Sequence, residues 1–214
     1  VALQTSDLTV TLPAGAVLLE RTALSAQSGD RVLLQGPSGS GKSTLFRAFA
    51  GIWPFASGNL TRPADAMFIP QRPYFPNGPL REALAYPQAA SIYTDDALHQ
   101  ALTEALLPNL LDQLDKSDAW GQKLSGGEQQ RLALARVFLK KPKWVFADEA
   151  TSALDEDAEN TIYERLLALV KSAQGALVSI AHRPSVATFH PPRRKKKKRP
   201  VLFLTQYVFL NKTF

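Results

Sequence analysis

Largely apolar runs and amphipathic segments alternate along most of the chain. The runs lie at 31–35, 66–69, 144–147 and 176–181, and glycine, proline or charged residues bound them. Short apolar runs with such boundaries are typical of buried strands. Between two of them, 95–107 places apolar residues three and four apart, which indicates a helix. Strands that alternate with helices predict parallel pairing with right-handed crossovers.

The residues at the ends of the other predicted helices indicate them as clearly as the spacing of apolar residues does. Residues 43–50 are predicted to be helical, as are a segment ending near Lys140 and one that opens with acidic residues at 155–157 and 159. Acidic side chains at a helix start complement the helix dipole. A shorter helix is expected over 109–114. The proline- and aromatic-rich segment 72–86 is instead expected to be an ordered surface loop.

The first 35 residues follow a different pattern. Residues 8–12 alternate between apolar and polar side chains, and turn residues separate them from the apolar run 17–19. Short strands joined by tight turns pair antiparallel. We therefore expect these strands to form an antiparallel edge on the larger sheet.

A glycine-rich stretch connects the predicted strand 31–35 to the predicted helix 43–50. It fits G-x-x-x-x-G-K-[ST], in which backbone N–H groups hold phosphates at a helix N-terminus. Lys42 is placed to reach the outer phosphates and Ser43 to ligate Mg²⁺. A chance glycine-rich turn is the alternative, and the strand before it and the helix after it count against that. The predicted nucleotide-binding residues are Gly36, Pro37, Ser38, Gly39, Ser40, Gly41, Lys42, Ser43 and Thr44.

Two acidic residues follow the buried run 144–147. Asp148 is a candidate Mg²⁺ ligand, and Glu149 is a candidate for polarising the water that attacks a γ-phosphate. The alternative is a strand end whose two acids merely face solvent. Because ligands bind at the carboxyl ends of parallel strands, Gly36 onward, Asp148–Glu149 and His182 are expected to converge on one phosphate group.

The string LSGGEQQ at 124–130 is the most specific signal in the chain. A glycine-rich helix cap would explain its serine and two glycines but not the full string. Together with the two motifs above, in this order, it resembles the signature of ABC-type ATPases, and the resemblance extends to about residue 190. Ser125 and the N–H groups of Gly126 and Gly127 would then form an anion site at a helix start, and Glu128 is grouped with them as a predicted nucleotide-binding residue.

The resemblance implies an α/β P-loop NTPase fold, with a mostly parallel sheet core, an N-terminal antiparallel β edge and a helical subdomain. It implies a RecA-like core over about 1–71 and 143–190, a helical lobe over about 72–142, and an atypical basic tail at 191–214. Two such cassettes would stack head to tail, as a homodimer or pseudo-dimer, with two ATP molecules and Mg²⁺ between them.

Further positions take roles from the same resemblance. Gln71 matches a glutamine expected to contact Mg²⁺ or the attacking water and to sense a membrane partner. Residues 152–155 match a loop that would cross the dimer seam. His182 matches a histidine that would contact the γ-phosphate. Glu149, His182 and Gln71 are thus the catalytic candidates, and Ser43, Gln71 and Asp148 the metal candidates.

The chain departs from the family in the residues that would recognise the adenine base. Family members often stack adenine on an aromatic residue, but residues 1–31 contain no Phe, Tyr or Trp. Aliphatic residues such as Leu12 or Val17 would then contact the base, and weak discrimination between ATP and GTP would follow.

Within the family, the strings around 36–48 and 70–74 look most like half-transporters similar to peroxisomal acyl-CoA exporters and to bacterial proteins of the SbmA/BacA-like type. This implies an ATP-hydrolysing cassette of an ABC transporter, with a transmembrane domain on the same full-length polypeptide. Its place would be the cytoplasmic face of a membrane, in bacteria the inner membrane. Since residue 1 is not Met, the chain is expected to be a piece of a longer one.

Two alternatives remain open from the sequence. The first is a soluble ABC ATPase that acts on nucleic acid or ribosomes, although neither coiled-coil insertions nor paired cassettes are visible. The second is a P-loop nucleotide-binding module without a partner, which would leave 124–130 without a function.

The net charge of +6 comes from one segment of the chain. Residues 193–199 are all Lys or Arg, and without these seven the remaining 18 Lys and Arg face 19 Asp and Glu, a balance of −1. No nucleic-acid binding is therefore expected of the rest of the chain. The tail is expected to be a solvated run or an aberrant end. A basic strip on anionic lipid is one alternative, and a nuclear-import or nucleic-acid role is another. Residues 201–210 would be able to add an edge strand. There is no cysteine, which excludes disulfides and thiolate sites.

Overall fold

Strands and helices alternate as the pattern predicts in the computed structural model, which describes residues 3–35, 41–181 and 189 and the backbone of 203–204 and 207–213. Its strands are β1 (Leu3–Thr11), β2 (Val17–Thr22), β3 (Ser25–Ala26), β4 (Asp30–Gln35), β5 (Ala56–Thr61), β6 (Ala66–Ile69), β7 (Gly78–Pro79), β8 (Ser117–Asp118), β9 (Trp144–Asp148), β10 (Ala176–Ile180), β11 (Phe203–Leu204) and β12 (Tyr207–Thr213). Its α-helices are α1 (Lys42–Phe49), α2 (Leu80–Ala85), α3 (Asp95–Glu104), α4 (Trp120–Lys123), α5 (Gly126–Lys140) and α6 (Glu156–Ser172).

The main sheet has the strand order β11-β12-β4-β10-β9-β6. Its strands β4, β10, β9 and β6 are parallel, which confirms the α/β sheet expected from the alternation. Strand β12 pairs antiparallel with β4, and β11 lies outside it. Residues 203–204 and 207–213 therefore add two strands at one edge of the sheet, where an edge strand was expected from residues 201–210.

The N-terminal strands form a sheet of their own. β1 pairs antiparallel with β2, β3 and β5, so the predicted antiparallel strands are present. They do not extend the main sheet, because β1 has β2 and β3 on one side and β5, which the sequence pattern did not reveal, on the other. Strand β5 is mostly exposed and rich in small and polar residues, so it lacks the apolar run that marks a buried strand.

The main sheet lies between two hydrophobic clusters. Alternate residues of β9 face opposite sides: Trp144 and Phe146 pack with α1 and the N-terminal strands, whereas Val145 and Ala147 pack with the later helices. This follows from the two-residue period of a strand. All five residues of β9 are buried, because helices or strands cover both faces of the sheet.

Two predictions of local structure were wrong. The segment 72–86 is not a loop throughout, since it contains α2, whose Leu80, Ala83 and Leu84 are fully buried. These residues have helical spacing, which the surrounding prolines obscured. The expected helix over 109–114 is only a 3-10 turn at Pro108–Leu110. Among the described residues, no helix has the length and apolar character needed to cross a membrane.

Candidate functional site

The parallel strands bring their carboxyl ends to a common level. Ile180 of β10 lies opposite Leu34 of β4 on one side and Asp148 of β9 on the other. Ile69, the last residue of β6, lies opposite Ala147. The residues that follow these strands therefore emerge at one edge of the sheet, where α/β proteins bind their ligands. His182 follows β10 by two residues and lies outside the described residues.

Helix α1 begins at this edge. Its N-cap is Gly41 at φ +87°, a left-handed conformation that glycine adopts without a steric penalty. Lys42 and Thr44 in its first turn are buried. The predicted phosphate-binding residues Gly41, Lys42, Ser43 and Thr44 thus sit at a helix N-terminus. The others, Gly36, Pro37, Ser38, Gly39 and Ser40, lie outside the described residues.

Lys42 sits among acidic groups at the end of β9. Its side chain is only 5% exposed, and this burial lowers the pKa of the ammonium group. The charges of Glu149 and Asp148 oppose that shift. A buried ammonium group at a helix start suits a phosphate group, and the two nearby carboxylates suit a metal ion bound to that phosphate.

Asp148 carries the most strongly buried carboxylate of this edge. Burial and the neighbouring charge of Glu149 raise its pKa, whereas a hydrogen bond with Ser43 and the positive charges of Arg47 and Lys42 lower it, with burial the largest effect. Its Oδ1 is buried and has no hydrogen-bond partner among the described residues. Such an oxygen beside a serine hydroxyl fits Mg²⁺, which prefers hard oxygen ligands.

Glu149 and Gln71 are in direct contact. The Nε2 of Gln71 donates to Oε2 of Glu149 at 3.1 Å, although 78 positions separate them in the chain. Glu149 has φ +49°, and its N–H donates to the carbonyl of Ile180 at 3.0 Å. A non-glycine residue in this region costs about 1–3 kcal/mol and persists only where the surroundings hold it. The strain is local to the residue predicted to act on water.

The residues of the 124–130 string form a second group at the start of α5. Ser125 is the N-cap: its Oγ accepts from the N–H of Glu128 at 3.2 Å, and Oε1 of Glu128 accepts from the N–H of Ser125 at 3.1 Å. This reciprocal pair is a capping box. The hydrogen bond from the Ser125 backbone is the main reason that the pKa of Glu128 is lowered. The other carboxylate oxygen, Oε2, accepts from Asn109 at 3.2 Å.

This helix start faces solvent. Ser125 and Gly126 are exposed, while Gly127 is half-buried against residues 153–154. A Cβ at Gly127 would lie 3.2 Å from the carbonyl oxygen of Ala153, so the backbones approach closely there. Residues 149–154 thus connect the acidic pair at the sheet edge with the start of α5, where Ser125 and Gly126 are exposed to solvent.

The last residue of the 124–130 string, Gln130, was given no role of its own from the sequence. Gln130 is 7% exposed and hydrogen bonds to the segment after Asp148. It lies four and seven residues before Leu134 and Val137, on the buried face of α5. A polar side chain on an otherwise apolar face was therefore the available signal.

The two residues proposed to contact the adenine base differ in their solvent exposure. Leu12 is half-buried, and Val17 is 55% exposed at the start of β2. The indole N–H of Trp53 donates to the carbonyl of Thr11 at 2.8 Å, and Phe55 packs edge-on against that ring. Aromatic side chains therefore lie beside the β1–β2 turn although residues 1–31 contain none.

Comparison with known proteins gives consistent matches. A family model described as ABC transporter matches residues 19–152. An uncharacterised ABC transporter ATP-binding protein of Synechocystis sp. is 45% identical over 179 residues, which cover 81% of this chain and 26% of that protein. ABC transporter D family member 1 of Arabidopsis thaliana is 40% identical over 198 residues, covering 86% of this chain and 14% of that protein. The inner membrane ABC transporter ATP-binding protein YddA of Escherichia coli is 36% identical over 188 residues, covering 86% and 32%.

A solved structure shows the same fold. A bacterial Atm1-family ABC exporter with ATP bound superposes with a TM-score of 0.77 at 25% identity, covering 88% of this chain and 35% of the exporter chain. The chain spans between 14% and 32% of the length of the curated relatives named above.

Proposed function

Because the chain belongs to the ABC transporter family, as its ATP-binding and ATP-hydrolysing domain, we propose that it powers transport across a membrane by closing with a second cassette around two ATP molecules. The observation that carries this is the division of the site. Lys42, Asp148 and Glu149 gather at the sheet edge, while Ser125 and Gly126 expose a helix start. Two copies related by a two-fold axis would each supply what the other lacks.

The rest of the assembly would lie on a longer polypeptide. The chain spans 32% of the inner membrane protein YddA and 14% of the Arabidopsis D family member, which leaves ample length for membrane spans in those relatives. We propose that a transmembrane domain belongs to the same polypeptide and that the cassette works at the cytoplasmic face of a membrane, the inner membrane in a bacterium.

The relatives and the solved structure named above are all described as transporters or exporters. They therefore offer no support for the alternative of a soluble ATPase that acts on nucleic acid or ribosomes. A partnerless nucleotide-binding module would leave the exposed start of α5 without a ligand.

The residues of the sheet edge account for hydrolysis. Asp148 and Ser43 would hold Mg²⁺, which supplies charge neutralisation at the β- and γ-phosphates when bound. Lys42 binds the outer phosphates, and Gln71 orients the Glu149 carboxylate through its amide. A water oxygen attacks the γ-phosphorus while its proton passes to Glu149. The bond to the β–γ bridging oxygen breaks, and ADP leaves.

The test is ATP-dependent dimerisation of Glu149→Gln. Removing the proton acceptor should stop hydrolysis and trap a dimer when ATP and Mg²⁺ are present, as measured by size exclusion with light scattering. Glu164→Gln, a change of the same chemistry at an exposed position of α6, should remain monomeric under turnover. Dimerisation should also disappear when Lys42→Ala is added to Glu149→Gln. A Glu149→Gln protein that binds ATP and stays monomeric at high concentration would rule out the closed pair.

A further inference from the structure

The side chain of Gln130 is directed at the segment that follows Asp148. Its Nε2 donates to the carbonyl of Glu149 at 3.2 Å and to Oγ of Ser152 at 2.9 Å. Its Oε1 accepts from the N–H of Ala153 at 2.8 Å. A carboxamide has two donors and one acceptor oxygen, so both donors and the acceptor are engaged on the single segment 149–153, twice with its backbone and once with the Ser152 hydroxyl.

These bonds complete the restraint on Glu149. Its N–H is bound to β10 through Ile180, and its carbonyl is bound to α5 through Gln130. The residue keeps φ +49° between these two anchors. Fixing both peptide groups fixes the direction of the Cα–Cβ bond of Glu149 and limits the rotamers that its side chain can adopt. Gln71 then binds the carboxylate itself, at the end of a side chain whose starting point is already held.

The same segment rests on the first turn of α5. The carbonyl of Ala153 and its Cβ lie 3.2 Å and 3.8 Å from the places where a Cβ would stand on Gly127 and Gly126. Gln130 lies one turn further along the helix and binds the N–H of Ala153. The start of α5 and the backbone of Glu149 are therefore held in one rigid arrangement by contacts at both ends of 149–153.

We propose that Gln130 is a positioning residue for hydrolysis: it sets the backbone of Glu149 relative to the helix start that would meet the second nucleotide. This inference rests on the proposed function, and it concerns the rate of the chemical step rather than nucleotide binding. ATP is held by residues of the phosphate loop and α1, which Gln130 does not contact in the described part of the chain.

Two variants test this positioning role. Gln130→Met keeps the length of the side chain and removes all three hydrogen bonds. Gln130→Glu keeps an acceptor for Ala153 but has no donor for the carbonyl of Glu149 when ionised. Since a small misplacement of a reacting group costs up to about 100-fold in rate, we expect kcat for ATP to fall at least about tenfold in both. KM and the calorimetric affinity for ATP should stay within about threefold.

A matched control is Gln100→Met, which removes an exposed amide that donates to Glu104 on α3. It should leave kcat unchanged. A purely structural role for Gln130 would lower thermal stability and the active fraction, yet leave kcat per folded, nucleotide-binding molecule as in the parent. Wild-type kcat in either folded Gln130 variant would therefore overturn the proposal, as would parallel losses in kcat and ATP affinity.

Dimerisation separates this inference from the proposed function. Glu149→Gln with Gln130→Met should still dimerise with ATP, because the exposed face of the helix start is unchanged. If Glu149→Gln dimerises and the double variant does not, Gln130 serves the contact between cassettes and the positioning role is wrong. If Glu149→Gln itself fails to dimerise, the proposed function fails, whatever the Gln130 kinetics show.

Discussion

Asp148 and Glu149 are neighbours in the chain but differ in their surroundings. Asp148 ends a fully buried strand, whereas Glu149 is half-buried and turns away at a positive φ. Burial raises the pKa of Asp148, and Gln71 holds the carboxylate of Glu149. Two carboxylates with different environments are suited to different tasks, one to a metal ion and the other to a proton.

Replacing Lys42 by Ala should weaken ATP binding strongly. A hydrogen bond to a charged group contributes roughly 1.5–3 kcal/mol, so the dissociation constant should rise about 10- to 150-fold. Isothermal titration calorimetry measures this directly. Lys171→Ala, at the exposed end of α6, is the control and should bind ATP as the parent does. Unchanged affinity in Lys42→Ala would contradict the phosphate-loop assignment.

Replacing Asp148 by Asn should stabilise the protein in the absence of nucleotide and Mg²⁺. The folded state raises the pKa of Asp148, so it binds more protons than the unfolded state between the two pKa values. The carboxylate is therefore unfavourable in the fold at neutral pH, and this cost disappears as acid protonates it. Asn has the same shape and carries no charge.

Thermal unfolding at pH 8 and pH 5 checks this. The midpoint of Asp148→Asn should exceed that of the parent at pH 8, and the difference should shrink at pH 5. Asp112→Asn, at an exposed position, should show no such trend. A variant less stable than the parent at pH 8 would show that the carboxylate is stabilised in the fold.

At the scale of elements, α5 connects most of the site. Its start carries the capping box of Ser125, and one turn later Gln130 binds the segment after β9. Further along, Arg136 is buried and donates to the carbonyls of Ala83 and Tyr74. One helix thus contacts both the candidate catalytic edge and the segment that follows Gln71.

Arg136 should be critical for this arrangement. It is 7% exposed, its guanidinium lies 4.5 Å from the centre of the Phe75 ring, and burial lowers its pKa to about 10. Arg136→Met would leave buried carbonyls without donors, so the free energy of unfolding should fall by roughly 2–4 kcal/mol. Urea unfolding measures this loss.

Arg136→Lys should recover little of the loss, because an ammonium group cannot reproduce the planar fork of donors. The matched control is Arg165→Met. Arg165 also donates to carbonyls, at Thr103 and Glu104, but it is only half-buried. Its loss should be nearer about 1 kcal/mol. Equal losses at the two positions would refute the special role of Arg136.

The predictability of the elements depended on local signals. The boundaries of β6, β9 and α5 agreed with the sequence because apolar runs, prolines and an N-cap serine mark them. Helix α2 and strand β5 were missed, since prolines surround the first and the second has no apolar run. Both elements become favourable only against neighbours that are distant in the chain.

At the scale of the whole molecule, the excess positive charge belongs to one short segment and not to the rest of the chain. The segment 193–199 supplies seven of the 25 Lys and Arg residues, and the rest of the chain is close to neutral. Electrostatic attraction to a polyanion grows with the number of such charges and weakens with salt. Any non-specific attraction to nucleic acid should therefore come from the tail.

Replacing these seven residues by Ser and Gly tests this. Retention on DNA at low salt should be lost, while ATP hydrolysis at physiological salt should remain within about twofold, since none of the residues proposed to bind or hydrolyse ATP is among these seven. A chromatography series over salt concentration measures retention. DNA binding that persists in the substituted protein would indicate a basic surface on the folded cassette instead.

The amino-acid sequence by itself determined which residues are candidates for the chemistry, because each motif is a local pattern: a glycine-rich turn before a helix, acids after a buried run, a serine that caps. It also determined that the glycine-rich turn and the acidic pair follow strands that pair in parallel. Only the tertiary structure decided that the side chain of Gln71 contacts that of Glu149 and that Gln130 donates to the Glu149 carbonyl. It also decided that the N-terminal strands form a separate sheet. Those contacts join positions far apart in the chain, and they depend on how whole elements pack rather than on any local preference.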